Sequence, residues 1–572
     1  MQQCTRTPPG APQVAMTPWP QLLLIAALGA ACSLLFTGFV FGVDNNAFHL
    51  PIVASLYDEP QFRTDTFIQS LRYFASGIWL TLAGSAKLVD PYWLFLCLAY
   101  VSRLIAFLGF LLCASLLGVR GVLRSATFAV IICFAALLQG DAAAGDGGLF
   151  LNYFTHSEVA NGTILLAIYC AARARLDLAL ALLGVTFFIN VFMAVWLFLP
   201  LTALMAAYVA SGRLDTRRLL KQGLLGAVAF VLCTIPVLHN YVSNPDFGAP
   251  LTFDYTAFTI FHYPYHFLAS SNPLQEYVQL GYVAALGLVS LVELGAAGAP
   301  LRIMFAGMVA TYLIGMVAPL VISSPLLLNL SLPRSGVLLY LVAALAAAAV
   351  AVNWLYGPQR MPARIFAPLL IVALCWSRQF VPAAIVCIAL KWAWSMRAWE
   401  LPLPRLDWAA FALLALWVWP RAYAQNQHET SHEAAYAAEL GQIGDWARQH
   451  TAADAVFLMP TERQPKEGSH HAEPYVITER DIVDAQGAFV YHAHRRLRGS
   501  FKEGAAMLWT PSFYQEWRED VDATLRLNGL DEKAAYAKLH GIDYVLASCL
   551  EPGAAHYTPV MRTAHVCVFT PK

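Results

Sequence analysis

An aspartate stands directly after the first long apolar run of the sequence, in the segment FGVDNNAFHLP, and this residue is Asp44. A carboxylate at a membrane boundary is costly unless water or a partner reaches it, so Asp44 is a candidate general base or metal ligand facing a cavity. The alternative is a turn aspartate beside Asn45 and Asn46, since Asx side chains favour such places.

Three further carboxylates follow in the same region, in LYDEPQFRTDTFIQSLRYF. Asp58, Glu59 and Asp65 share this segment with the cations Arg63 and Arg72. Paired carboxylates with neighbouring arginines could hold a divalent metal and a phosphate. A solvated loop with local ion pairs is the commoner outcome for any one of these side chains, so metal use stays open.

Arginines near the ends of apolar runs are candidates for binding an anion. Arg334 begins a run in SLPRSGVLLY, and Arg378 occupies the short turn WSRQF. A guanidinium binds phosphate through two parallel hydrogen bonds, whereas the alternative is an arginine that snorkels to the membrane interface. Arg103 lies inside a long apolar run, where it is either functional or paired with a buried acid such as Glu158.

A second acidic segment and a histidine pair complete the candidates. Asp141 and Asp146 lie in QGDAAAGDGGLF, where DGG indicates a turn first and a site second. His262 and His266 are four residues apart in FHYPYHF, but Pro264 forbids a helix there, so a metal pair on one helix face is poorly supported. Stacking against sugar or lipid, or an interfacial aromatic belt, are the remaining interpretations.

The elements that must position these residues are membrane helices. The 572 residues are 58% hydrophobic and only 13% charged, about half the charged share of an ordinary globular domain. Runs of about 20 apolar residues suit a bilayer core. About thirteen such runs are predicted, near 21–43, 91–118, 125–140, 158–172, 177–191, 192–211, 222–237, 277–296, 303–321, 334–354, 364–377, 380–396 and 407–422.

Charge placement predicts the orientation of this bundle. Alternate short loops carry clusters such as Arg120 with Arg124, and Arg173 with Arg175, and the positive-inside rule assigns these to the cytoplasm. The N-terminus is then cytoplasmic, and two long outer loops, 44–90 and 238–276, lie outside. The predicted location is therefore a multi-pass protein of the cytoplasmic (inner) membrane.

The C-terminal region reads differently from the rest. Residues 425–572 hold 20 of the 36 acidic residues, and helical and strand patterns alternate, as in EAAYAAELGQIGDWARQH followed by AVFLMP. We predict a transmembrane domain over 1–424 and a small extracytoplasmic α/β domain over 425–572. Cys549 and Cys567 both fall in this tail, in strand-like segments, and outside the cytoplasm a disulfide between them would persist. Two buried free thiols are the alternative.

At this point the sequence resembles the GT-C superfamily of membrane glycosyltransferases. DNNAFHLPIVASLYDEPQFRTDTFIQS is similar to the first outer loop of a bacterial group of GT-C-like proteins, and IGDWARQHTAADAVFLMP resembles their entry into the soluble domain. The resemblance implies a GT-C-like bundle in which Asp44 lies at the acceptor or base position, with Asp58, Glu59 and Asp65 as weaker supports. No tight Asp-x-Asp or Glu-x-Asp follows the first run, so the resemblance does not decide metal dependence.

The function implied is transfer of a sugar from a polyprenyl-phosphate donor to an extracytoplasmic glycan or protein acceptor. Membrane lipid is an expected partner, with Arg72, Arg334, Arg378, His262 and His266 as candidate substrate-binding residues. A lipid-linked sugar flippase and a non-catalytic scaffold of envelope assembly are the alternatives. Zero net charge gives no indication of nucleic-acid binding. The absence of GxSxG, P-loop and zinc-protease motifs disfavours soluble hydrolase and ATPase chemistry.

Overall fold

The computed structural model describes residues 17–322, 324–357, 361–395, 407–461 and 479–571. Within these ranges the chain is mainly helical, as predicted, and each of the thirteen apolar runs contains a helix. The bundle helices are Trp19–Thr37, Pro91–Leu116, Val122–Phe134, His156–Ala172, Leu176–Ile189, Val191–Trp196, Phe198–Ala210, Thr216–Val242, Leu274–Glu293, Gly295–Val321, Gly336–Tyr356, Met361–Trp376, Val381–Ser395 and Asp407–His450.

Six helical stretches of the described chain are long and apolar enough to cross a membrane: Trp19–Thr37, Pro91–Leu116, Val191–Ala210, Thr216–Val242, Gly295–Val321 and Pro325–Tyr356. They place the chain among multi-pass membrane proteins. Thirteen crossings, and a cytoplasmic N-terminus, stay predictions.

Small residues let the bundle helices approach each other closely. Gly109 and Gly162 face one another across two helices, where a Cβ on Gly109 would lie 2.6 Å from the Leu165 side chain. A Cβ on Gly162 would lie 2.8 Å from the Ala106 backbone. Close backbone approach through small residues is how membrane helices gain van der Waals contact.

Short helices form the two outer segments: Asn46–Ala54, Thr66–Ser70, Gly77–Leu82, Tyr255–Phe261 and Pro264–Phe267. Residues 66–90 of the first outer loop thus form several short helices and not one long surface helix. A contact with the bundle holds this segment in place, because the Ser76 hydroxyl donates a hydrogen bond to the Ile189 carbonyl at 2.6 Å. The helix break before Pro264 agrees with the sequence prediction.

The tail contains the predicted α/β elements. Its helices are Glu479–Asp484, Gln486–Ala493, Tyr514–Thr524 and Gly529–Leu539. A small hairpin in the bundle consists of two strands of two residues each, β1 (Asp141–Ala142) and β2 (Gly147–Gly148). The strands of the tail are β3 (Val456–Leu458), β4 (Arg496–Arg498), β5 (Tyr544–Ser548), β6 (Met561–Arg562) and β7 (Val566–Phe569). They form one mixed sheet in the order β4-β3-β5-β7-β6, with β3 parallel to β4 and β5.

The predicted disulfide is confirmed. Cys549 follows β5 and Cys567 lies in the antiparallel neighbour β7, with the two Cα atoms 5.0 Å apart. This separation falls within the range that a disulfide allows.

The tail is joined to the bundle by more than a linker. The boundary predicted between residues 424 and 425 falls within the continuous helix Asp407–His450. Glu439 of this helix accepts hydrogen bonds from the backbone nitrogens of His565 and Val566 beside β7. The separation into two domains therefore stays a prediction from the sequence. In the structure, one helix belongs to both parts.

Candidate functional site at the junction of the first outer loop and the tail

The backbone of the tail fixes the position of Asp44. The first helix ends at Thr37, and the Asp44 N–H donates to the Asp484 carbonyl at 2.6 Å. Asp44 has φ +55°, a left-handed conformation that aspartate adopts more readily than most residues. Non-glycine residues in this conformation are concentrated at functional sites, where the surrounding structure holds them.

The Asp44 side chain pairs with a lysine of the tail. Lys502 Nζ donates to Asp44 Oδ1, and Tyr153 and Arg480 also favour the charged carboxylate. Burial alone would raise the pKa of Asp44, but attraction and hydrogen bonding from Lys502, aided by Tyr153 and Arg480, outweigh it, so the pKa lies below its ordinary value. The carboxylate is therefore ionised at neutral pH.

Water reaches Asp44 although protein surrounds it. Its side chain is 44% exposed, whereas that of Lys502 is only 6% exposed. Further acids lie around the pair: burial, with a contribution from Asp44, raises the pKa of Asp484 to about 6 and that of Glu433 to about 7. The arrangement is a polar, water-accessible cluster of ionisable groups from the first loop, the long helix and the tail.

The second acidic segment lies near this cluster. Asp141 lies in β1 and Asp146 in the turn before β2, so the turn interpretation of DGG is confirmed. Burial raises the pKa of Asp141 to about 7, followed by repulsion from Asp146 and Asp44, while Arg334 and Arg378 act in the opposite direction. The contribution of Asp44 to the pKa of Asp141 places the two acidic groups within electrostatic reach of each other.

Arg334 lies against the hairpin turn. Its Nη2 donates to the Asp146 carbonyl at 3.1 Å. A Cβ on Gly145 would lie 2.5 Å from the Pro333 carbonyl oxygen, so only glycine permits this approach. In the described part of the chain, the buried Nε of Arg334 has no hydrogen-bond partner. The guanidinium therefore keeps one donor that a phosphate oxygen or an ordered water would satisfy.

Arg378 has a different environment. Its Nε donates to the Ala136 carbonyl at 3.2 Å, and its two terminal nitrogens donate to the carbonyls of Asp141 and Gln139. These contacts hold the strand that carries Asp141. The structure therefore gives Arg378 a positioning role, and direct phosphate binding by it stays a prediction.

The other acids of the first loop do not join Asp44. Asp58 pairs with Arg72 at 2.8 Å on the surface. Glu59 pairs with His494 of the tail at 2.8 Å, and Asp65 accepts a hydrogen bond from the Ile68 N–H at 2.9 Å as a helix N-cap. Sequence proximity made these residues supports for Asp44, but each one has a structural partner of its own instead.

Arg72 is likewise engaged. Its guanidinium lies 4.5 Å from the centre of the Tyr57 ring and donates to the Tyr57 carbonyl at 2.8 Å, besides pairing with Asp58. The commoner interpretation of a solvated loop with local ion pairs describes this part of the segment.

His262 and His266 hold backbone segments. His262 Nε2 lies 3.1 Å from the Phe501 carbonyl, directly before Lys502, and His266 Nδ1 lies 3.1 Å from the Gly145 carbonyl. Burial lowers the pKa of His262 to about 3, so the ring is neutral. Both side chains contact backbone that carries site residues, and their roles as substrate ligands stay predictions. Over the described ranges, no group of three or more His, Cys, Asp or Glu is arranged to hold a metal ion.

Sequence reasoning missed the tail's contribution. Lys502 is 458 residues from Asp44 along the chain, and no motif around RGSFKEG indicates the contact. No sequence pattern singles out Asp484 or Arg480 either. A pairing of this kind depends on how the tail docks onto the bundle, which local patterns do not encode.

Comparisons with known proteins give a likeness in structure and none in sequence. No family model matches the chain, and no curated protein matches it. Among solved structures, the chain is similar to the crystal structure of ArnT from Cupriavidus metallidurans bound to undecaprenyl phosphate, with a TM-score of 0.43 and 15% sequence identity. The match covers 97% of this chain and 98% of that chain, so the bundle and the tail both lie within it.

Proposed function

We propose that this protein transfers a sugar from a polyprenyl-phosphate donor to an acceptor hydroxyl outside the cytoplasm, in the cavity around Asp44. The observation that carries the proposal is the Asp44–Lys502 pair, an ionised and water-accessible carboxylate beside an ammonium group. It lies where the first apolar helix, the first outer loop and the tail meet. The sequence resemblance to GT-C enzymes supports the same assignment for Asp44.

In this reaction Asp44 acts as the general base. The acceptor hydroxyl attacks the anomeric carbon of the sugar, its proton passes to the Asp44 carboxylate, and the bond between that carbon and the phosphate oxygen breaks. A base must be ionised to accept the proton, and the lowered pKa of Asp44 meets this need at neutral pH.

The leaving phosphate requires positive charge. Lys502 supplies an ammonium group beside Asp44. Arg334, which lies against the neighbouring hairpin, supplies a guanidinium whose Nε has no partner in the described part of the chain. Preorganised cations at the point where charge develops stabilise a transition state strongly in a site shielded from bulk water. We assign both residues to the donor phosphate.

The location suits a lipid substrate. A polyprenyl chain needs an apolar phase, while its phosphate and sugar need a polar one. Asp44 lies between a helix apolar enough to span a membrane, Trp19–Thr37, and a charged tail, so both needs are met within one molecule. A flippase would instead need unpaired charge along its helices, yet Arg103 and Glu158, buried within the bundle, pair with each other.

The test is glycosyl transfer in vesicles that contain the purified full chain. The protein is expected to use a polyprenyl-phosphate sugar and to ignore the corresponding nucleotide sugar. Asp44→Asn keeps the size of the side chain and removes the base, so turnover should fall by about two to four orders of magnitude. Asp58→Asn is the matched control, because Asp58 pairs with Arg72 on the surface. Unchanged turnover in a folded Asp44→Asn protein would remove Asp44 from this role.

A further inference from the structure

Asn46, two residues after Asp44, is completely buried, and its side-chain amide is used on both sides. Its Oδ1 accepts a hydrogen bond from the Gly42 N–H at 3.1 Å, and its Nδ2 donates to the Phe154 carbonyl at 3.1 Å. The amide therefore closes the turn that contains Asp44 and joins it to the segment before the helix His156–Ala172. Replacing a buried amide with both groups paired is costly, because each partner would lose its hydrogen bond.

A second contact holds the same segment two residues earlier. The Val40 N–H donates to the Asn152 carbonyl at 2.6 Å. The Asn152 side chain in turn donates to Glu433 of the long helix at 2.5 Å. Tyr153 lies between these two points of attachment, so its backbone has little freedom to move away from the turn.

The Tyr153 hydroxyl forms a hydrogen bond with the Asp44 carboxylate. Tyr153 is only 8% exposed. Burial, followed by the charges of Asp44 and Asp141, raises the pKa of its hydroxyl well above the ordinary value. The hydroxyl therefore keeps its proton and donates, and the ionised carboxylate accepts.

Two donors from different elements thus reach one carboxylate. Lys502 belongs to the tail, and Tyr153 belongs to the segment that follows the β1–β2 hairpin. The terminal torsion of an aspartate side chain is broad, so a single donor leaves the carboxylate free to turn. A second donor limits that rotation. Because a general base must face the proton that it accepts, the orientation of Asp44 affects the rate of the reaction.

We infer that Tyr153 is a positioning residue for Asp44: its hydroxyl, together with Lys502, holds the carboxylate in the orientation that accepts the proton. Asn46 fixes the backbone from which Tyr153 reaches it. The inference rests on the proposed function, in which Asp44 is the base. Tyr153 and Asn46 both act through Asp44 and take no proton themselves.

The experiment measures the titration of Asp44 and the rate of transfer in the same full-length protein in lipid vesicles. The infrared carboxyl band that is present in the wild type and absent in Asp44→Asn reports the pKa of Asp44 without any substrate. Tyr153→Phe removes only the hydroxyl, so this pKa should rise by about one pH unit, because a hydrogen bond to a charged group is lost.

The kinetics should follow the titration. In Tyr153→Phe the acid limb of the kcat/KM profile should move up by the same amount, with transfer measured from a polyprenyl-phosphate sugar. Above that limb kcat should still fall about tenfold, while KM for the donor stays within about twofold, because the carboxylate is ionised but less well oriented.

Tyr208→Phe is the matched control. The Tyr208 hydroxyl is also buried, and it donates to the Ala172 carbonyl at 2.8 Å, at the far end of the helix His156–Ala172. This variant loses a comparable hydrogen bond, yet the pKa of Asp44 and the profile of transfer should not change. Both variants keep five other ionisable groups that act on Asp44 or respond to it, namely Lys502, Arg480, Asp484, Glu433 and Asp141.

Asn46→Ala tests the attachment of Tyr153. It keeps the Tyr153 hydroxyl but loosens its backbone, so the pKa of Asp44 should rise here too, and this variant decides the matter if Tyr153→Phe does not fold. One and the same Asp44 pKa in the wild type, Tyr153→Phe and Asn46→Ala would overturn the inference, while transfer by the wild type would still support the proposed function. A raised pKa in a protein that transfers no sugar would instead overturn the proposed function and leave only the contact between Tyr153 and Asp44.

Discussion

Two pairs of oppositely charged side chains in this molecule differ in their burial and in their access to water. Arg103 and Glu158 pair inside the bundle, with side chains 0% and 1% exposed. Asp44 and Lys502 pair at the junction of loop and tail, where the aspartate is 44% exposed. In the first pair the remaining Arg103 donors are used as well, by the Ser33 hydroxyl at 2.7 Å and the Leu151 carbonyl at 2.6 Å.

The difference separates a pair that stabilises the fold from one that can do chemistry. The Arg103 guanidinium lies 4.2 Å from the centre of the Phe150 ring, so protein encloses it on every side and no substrate can reach it. The Asp44 carboxylate faces water and has further ionisable groups around it. An intramembrane arginine is a functional candidate by default, but its partners decide whether that default holds.

The largest expected effect is on the enclosed pair. Arg103→Met would leave Glu158 buried without a counter-charge, which costs about 3–5 kcal/mol. We expect a steep loss of monodisperse protein after extraction and a lower midpoint of thermal unfolding. A combined Arg103→Met and Glu158→Met protein should recover much of the stability, since apolar replacements of a whole pair are often tolerated. If Arg103→Met were as stable as the wild type, the contrast between the two pairs would be contradicted.

A smaller effect is expected at Arg334. Arg334→Lys keeps the charge but removes the Nε donor and the two-pronged geometry. The affinity for a polyprenyl phosphate, measured in detergent, should fall about tenfold, or about 1.4 kcal/mol. Arg302→Lys, in the helix Gly295–Val321, serves as the comparison. Equal affinities in wild type and Arg334→Lys would leave Arg334 as an interfacial residue.

The smallest effect concerns pH. Because the folded state raises the pKa of Asp141 from 3.8 to about 7, it binds the proton more tightly than the unfolded state. The stability that this adds is complete below about pH 4 and is lost as the pH rises towards about 7. Protein groups surround Asp141, but its side chain is open to water, so screening keeps the change small. Asp141→Asn should flatten this part of the stability–pH curve, and an unaltered curve would argue against the shift.

Sequence patterns predicted the elements and local features well. Several features follow from residues whose requirements are local or whose alternatives are costly in lipid. They are the apolar runs, the helix break at Pro264, the Arg103–Glu158 pair and the Cys549–Cys567 bridge. A buried arginine needs partners for its N–H groups, so pairing with Glu158, the nearest acid in an apolar run, was one of the two interpretations of Arg103.

The site was only partly predictable. Asp44 could be singled out because a carboxylate at the end of an apolar run is costly unless water or a partner reaches it. Asp58, Glu59 and Asp65 could not be separated from it, since sequence spacing does not tell which way each side chain of an irregular loop faces. Lys502 stayed unnoticed because its role arises from long-range docking of the tail.

The most direct test measures stability and transfer together in Asp44→Asn. Lys502 still faces the carboxyl of Asp484 in this variant, and Asp44 is open to water, so the free energy of unfolding should change by less than about 1 kcal/mol. Glycosyl transfer from a polyprenyl-phosphate sugar should meanwhile fall by about two to four orders of magnitude. A variant that loses stability as steeply as Arg103→Met, while its folded fraction transfers sugar at the wild-type rate, would contradict the account.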